Sequence, residues 1–137
     1  MSEQTNVQII QQAYAAFGQG NVQGILALLS EDVRWHVAPA ANVAYTGTRM
    51  GKAGALEFFT GLGAAEETLQ FAPGEFVAQG DRVMVIGQYA GRVRETGREY
   101  QTYFIHAFTV RGGLITSFDE YTDTAAVSGA FVKTQTA

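Results

Sequence analysis

The stretch from Arg98 to Asp123, R-E-Y-Q-T-Y-F-I-H-A-F-T-V-R-G-G-L-I-T-S-F-D-E-Y-T-D, constrains this chain more than any other. Two runs rich in aromatic and β-branched residues flank Gly112-Gly113, the pattern of two strands joined by a glycine turn. Side chains alternate along a strand, so Thr102, Phe104, His106, Phe108 and Val110 share one face. Tyr103, Ile105, Ala107 and Thr109 share the other. The stretch also holds His106, one of two histidines, and the acidic pair Asp119 and Glu120, so chemistry is expected here. Two registers are open. A three-residue loop, Arg111-Gly112-Gly113, sets His106 opposite Phe118 and makes it a diagonal neighbour of Glu120. A two-residue Gly112-Gly113 turn sets it opposite Asp119. The first is preferred, which gives the histidine Glu120 as its carboxylate.

The rest of the chain supplies helices before this hairpin. Val7, Ile10, Tyr14 and Phe17 recur at helical spacing between Thr5 and Gly18. Asn21 reads as the N-cap of a short helix, Val22 to Leu29. A strand from Val33 to Val37 puts Val33, Trp35 and Val37 on one face and Arg34 and His36 on the other. Residues 38–51 read as an irregular segment with Tyr45 as its large side chain. A helix from Lys52 to Leu62 turns Leu56, Phe59 and Phe58 inward. Strands are predicted over Thr68 to Ala78 and Arg82 to Arg94, before the hairpin. A final helix, Thr124 to Phe131, has Asp123 as its cap and packs Val127 and Phe131 on the body.

That order predicts a single α+β domain over residues 1–137, a cone-shaped, curved antiparallel sheet wrapped against N-terminal helices. A curved sheet backed by helices encloses a cavity. Its expected lining is Trp35, Tyr89, Phe104, His106, Phe108, Phe118 and Glu120, with Tyr14 and Phe17 from the first helix. Such an aromatic cavity with few polar groups suits a small hydrophobic molecule.

Composition excludes other classes. A net charge of −4 without a basic run argues against nucleic-acid binding. No cysteine means no disulfide framework and no thiolate nucleophile. Two scattered histidines do not make a metal site, and no cofactor is expected. No stretch approaches the roughly 20 apolar residues of a membrane span. With an N-terminus that lacks a basic region and apolar run, the expected location is the cytoplasm.

Three segments carry a family resemblance: Y-A-A-F-G-Q-G-N-V-Q-G-I-L-A-L-L-S-E-D-V-R-W-H, the A-Y-T-G loop and V-R-G-G-L-I-T-S-F-D-E-Y-T-D. Over about Asn6 to Phe131 the chain resembles the SnoaL-like family (polyketide cyclase and ketosteroid isomerase-like). That family lies in the superfamily with the nuclear transport factor 2-like, or cystatin-like, cone fold. The resemblance implies that fold, and it implies acid/base roles for His106 and Glu120, with Glu where SnoaL-type cyclases usually carry Asp. In ketosteroid isomerases the acidic oxyanion donor would match His106, the general base Val37 and the oxyanion tyrosine Ala13, with Tyr14 one position away. Two of those three groups are therefore absent. Epoxide hydrolases of this fold carry an Arg and an Asp on the preceding strand, where the inner face here is Val83, Val85, Gly87, Tyr89, Gly91 and Val93.

Removing a proton beside a carbonyl needs a base and a donor for the developing enolate. Glu120 is the expected base, and His106, Tyr89 or Tyr45 the expected donor. Desolvation would raise the Glu120 pKa, whereas a protonated histidine beside it would act the other way. Two functions follow: a cofactor-independent isomerase or cyclase, or alternatively a non-catalytic binding protein for an apolar ligand. The opposite sheet face, with Met84, Ile86, Tyr103, Ile105, Ala107, Ile115 and Tyr121, is too apolar to leave in water, and a homodimer is expected to cover it.

Overall fold

In the computed structural model, which describes residues 2–133, helices α1 (Glu3–Gly18) and α2 (Val22–Leu26) lead into strand β1 (Leu29–Val37). Strand β2 (Gly47–Met50) and helix α3 (Gly51–Ala65) follow. Then come β3 (Glu66–Gln79), β4 (Arg82–Val93), β5 (Glu99–Arg111) and β6 (Leu114–Thr122), and the short helix α4 (Thr124–Phe131). The strands form one curved, unclosed sheet in the order β2-β1-β6-β5-β4-β3. Neighbours run antiparallel except β1 and β6, which pair in parallel and so bring the first strand beside the last. The expected α+β cone is present.

Helices α1, α2 and α4 start where the sequence offers a capping side chain, whereas α3 follows Met50 without one. Ser2 accepts from the Thr5 amide and Glu3 lies in the first turn of α1, both favourable at a helix N-terminus. Ile9, Ile10, Ala13 and Ala16 form its buried stripe. Glu3 Oε2 accepts from the Gly80 amide at 2.7 Å, which ties α1 to the β3–β4 turn. Asn21 caps α2 through the Gly24 amide, but that helix ends at Leu26 rather than Leu29. A five-residue helix has little stability of its own, and Leu29 instead pairs with Ile115 as the buried first residue of β1. Asp123 caps α4 as expected, and Val127 is buried there.

Two further expectations are corrected. The segment 38–51 is not wholly irregular, because Gly47–Met50 adds an edge strand to β1. Leu56 does not face inward and is 39% exposed. The inner stripe of α3 is Ala55, Phe58, Phe59 and Leu62 at helical spacing, and Leu56 falls outside it.

The hairpin follows neither sequence register. Its turn is the two-residue Gly112-Gly113, with φ of 58° and 80°, the positive values a tight hairpin turn requires. Arg111 pairs with Leu114 and Val110 with Ile115, but Thr109 pairs with Ser117. Thr116 is thus the extra residue of a β-bulge, and beyond it the ladder is displaced by one. His106 therefore lies directly opposite Glu120, not diagonal to it and not opposite Asp119. The two-residue turn sets Ile115 opposite inward-facing Val110, so Ile115 is buried at 1% and not on the outer face where it was expected.

Phe104 shows how tightly the inner face is packed. It is among the largest fully buried side chains and pairs with Gly87 across β4 and β5. A Cβ at Gly87 would stand 2.4 Å from Phe104 Cζ and 2.6 Å from the Ala72 carbonyl oxygen. Gly87→Ala should therefore destabilise the protein by about 1–3 kcal/mol through overpacking. Thermal unfolding checks this, and an unchanged Tm would mean that the ring does not depend on the gap.

Candidate functional site

Between the helices and the inner sheet face lies a cavity of about 90 Å³, several times the roughly 10–15 Å³ that one water needs. The aromatic side chains line it and do not fill it. They stack on one another along the walls: Phe104 on Phe71 and on His106, and Trp35 on Phe118, the last with ring centroids 4.1 Å apart. Tyr14, Trp35, Tyr45, Tyr89, Phe104, His106, Phe108, Phe118 and Glu120, all expected from the sequence, line this one cavity.

At its centre is a hydrogen-bonded relay. His106 Nε2 lies 2.7 Å from Glu120 Oε2, and His106 Nδ1 lies 2.8 Å from Tyr14 Oη. The His106 side chain is 6% exposed and that of Glu120 21%. A carboxylate only accepts, so Nε2 carries the proton given to Glu120. In the neutral imidazole the Tyr14 hydroxyl then donates to Nδ1. Burial, and after it the charge of Glu120, hold that phenol far above its ordinary range, so its proton stays in place. Among the described residues no donor is placed on Glu120 Oε1, which leaves this oxygen for a ligand. Asp119 points to the outer side and pairs with Arg34 at 2.8 Å. His36 is likewise outside, bonded to Thr48.

A second polar cluster lies beyond what the sequence reading found. Glu66, 2% exposed, accepts from three phenols at 2.6 Å each: Tyr45 at Oε1, and Tyr89 and Tyr100 at Oε2. Gly91 makes the room, since a Cβ there would stand 2.6 Å from Glu66 Oε2. Arg49 sets Tyr45 by donating to the carbonyls of Ala44, Tyr45 and Thr46. Alternation along β5 puts Tyr100 on the face of His106, so it was legible. Glu66 was not, because only the β3–β4 register brings the start of β3 to Val93.

The donors are thereby reassigned. Tyr45 and Tyr89 direct their protons to Glu66, and neither is free to donate to a substrate oxygen as the sequence suggested. Among the described residues the buried donors without a protein partner are Trp35 Nε1 and Ser30 Oγ, and of the two only Trp35 is a cavity-lining residue. Ala13 and Val37, where isomerases would carry a tyrosine and an acid, are buried apolar lining residues. Among the described residues no group of three His, Cys, Asp or Glu is placed to hold a metal ion. No helix among them is long and apolar enough to cross a membrane.

Residues 10–118 match the SnoaL-like domain family, and the chain belongs to that family. Among solved structures it is similar to a nuclear transport factor 2-like protein from Burkholderia xenovorans. The two are 38% identical over 96% of this chain and 99% of that one, with a TM-score of 0.87. It is also similar to TerC co-crystallised with polyporic acid, at 31% identity over 93% and 98%, TM-score 0.83. A putative polyketide cyclase from Xanthomonas campestris shares the fold at 20% identity over 95% and 98%, TM-score 0.77. No curated protein matches the chain.

The tyrosines predict a pH response. Burial first, then nearby acidic groups, raises the phenols of Tyr14, Tyr45 and Tyr89. For Tyr100 the order is burial, Tyr45 and Glu66. The unfolded chain loses these protons near pH ~10 while the folded chain keeps them. Their contribution to stability is therefore complete below pH ~10 and declines above it. Denaturant melts across alkaline pH should show that decline, with a shallower slope in Tyr45→Phe. Equal slopes would place Tyr45 outside the linkage.

Proposed function

We propose that this protein is a cofactor-independent enzyme that moves a proton next to the carbonyl of a small, largely apolar molecule, as an isomerase or cyclase does. The observation that carries this reading is the Tyr14–His106–Glu120 relay on the wall of an open aromatic cavity. Glu120 is the base. Its Oε2 is held by His106, which orients the carboxylate, and Oε1 takes a proton from the carbon beside the carbonyl. The electrons of that C–H bond move to the carbonyl oxygen, and Trp35 Nε1–H donates to the enolate so formed. Glu120 then returns the proton to another carbon in an isomerisation, or to the product oxygen once the enolate carbon has closed a ring on a second carbonyl. The co-crystal of TerC with polyporic acid supports a small-molecule role for this cavity.

The second reading is a non-catalytic binder, favoured by the predominance of aromatic side chains in the lining. Deuterium exchange of the α-protons of 1-tetralone, followed by NMR in D₂O, separates the two. The enzyme should accelerate exchange over buffer, and Glu120→Ala should reduce the rate by about 10²–10⁴-fold while binding changes little. Binding without accelerated exchange in the wild type would support the binder instead.

We also propose a homodimer through the outer sheet face. Ile86, Tyr103, Ile105 and Tyr121 are between 41% and 69% exposed there, a contiguous apolar set unusual for a monomer. Sedimentation should give twice the chain mass, and Ile105→Asp should halve it. A wild-type protein that sediments as a monomer would rule the dimer out.

A further inference from the structure

We infer that the Glu66 cluster makes this cavity selective for a ligand that carries a hydrogen-bond donor, such as a phenolic or enolic hydroxyl, at the end remote from Glu120. The inference rests on the cavity being a ligand site, and it concerns which ligand enters.

The argument is a count of protons. A phenol has one O–H and can otherwise only accept. Tyr45, Tyr89 and Tyr100 each place that proton on Glu66, a carboxylate with no proton to give back in those contacts. The Tyr45 and Tyr100 oxygens are 3.5 Å apart, and with both protons directed at Glu66 neither donates to the other. All three phenols line the cavity, whereas Glu66 stands behind them. With the Tyr89 proton on Glu66, Thr68 donates to the Tyr89 oxygen at 3.0 Å, so it is the Tyr45 and Tyr100 oxygens that offer free lone pairs at this end. A ligand hydroxyl finds an acceptor there, whereas an ether or carbonyl oxygen meets lone pairs with lone pairs and stays unpaired, which is costly in a buried site.

Position along the sheet separates this end from the relay. Tyr100 and His106 are six residues apart on one face of β5, with Thr102 and Phe104 between them. The two ends also differ in polarity. Trp35 Nε1, stacked beside Phe118 and so near the Glu120 end of β6, is a donor in need of an acceptor. The cavity thus asks for an acceptor near Trp35 and Glu120 and for a donor near the tyrosines. Glu66 acts as a positioning residue here: it aims the phenol protons away from the ligand.

Calorimetric titration with 6-hydroxy-1-tetralone, 6-methoxy-1-tetralone and unsubstituted 1-tetralone in mildly acidic buffer tests this. The wild type should bind the hydroxy compound about fivefold or more tightly than either of the others. In Glu66→Gln the carboxamide donates to a phenol oxygen and releases that phenol's proton, so the hydroxyl preference should fall towards unity and methoxy binding should gain. Tyr100→Phe, which keeps two donors on Glu66, should also weaken the preference and serves if Glu66→Gln does not fold. No preference in the wild type, or one that survives both variants, would overturn the inference while the 1-tetralone exchange result stands. If none of the three compounds binds, the ligand-site reading itself fails and this inference falls with it.

Discussion

Two carboxylates sit inside an aromatic interior, and the need to supply them with donors places most of the polar groups around them. Removing a carboxylate from water costs several kcal/mol even after the protein relaxes. Glu66 meets that cost with three phenols, and Glu120 with one imidazole and partial exposure. Neither has a Lys or Arg partner among the described residues. The groups placed on them are phenols and an imidazole, not permanent cations.

The sheet is what makes this arrangement possible. β5 is the common strand: Tyr100, Thr102, Phe104, His106 and Phe108 all turn to its inner face and all line the cavity. β6 supplies the carboxylate opposite His106, and β3 and β4 bring Glu66 to Tyr89 and Tyr100. α1 closes the relay from above by setting Tyr14 on Nδ1. Because His106 is stacked on Phe104, and Phe104 rests over Gly87, the geometry of the Tyr14–His106–Glu120 relay is tied to core packing. Buried networks of this kind are stable only when every member is satisfied. Among the described residues Trp35, which lines the cavity, is one whose buried polar atom, Nε1, has no partner.

Much of the site could be read from the chain. Alternation in the hairpin put His106 among Phe104, Phe108 and Thr102, and the aromatic content of both runs foretold the lining. The pairing of His106 with Glu120 was anticipated although its route was not. A two-residue turn alone would have set His106 against Asp119, and the bulge at Thr116 reverses that outcome. The sequence around Thr116 carries no distinguishing signal, since Leu-Ile-Thr-Ser alternates acceptably in either phase. What selects the bulge is the burial of both Ile115 and Phe118 on one face, three residues apart. Leu56 was misplaced for a similar reason: the adjacent apolar pairs Ala55-Leu56 and Phe58-Phe59 leave the inner stripe of the helix undetermined until the sheet arrives beneath it.

The sequence by itself determined the element types, the aromatic inner face and the candidate pair His106 and Glu120, because these follow from local periodicity and composition. Only the tertiary structure decided the register of β6, the edge strand at Gly47–Met50 and the meeting of Glu66 with Tyr45, Tyr89 and Tyr100. The last of these depends on contacts between residues 21 to 34 positions apart in the chain. No local pattern encodes such contacts, since they arise when whole strands settle against one another to bury their faces.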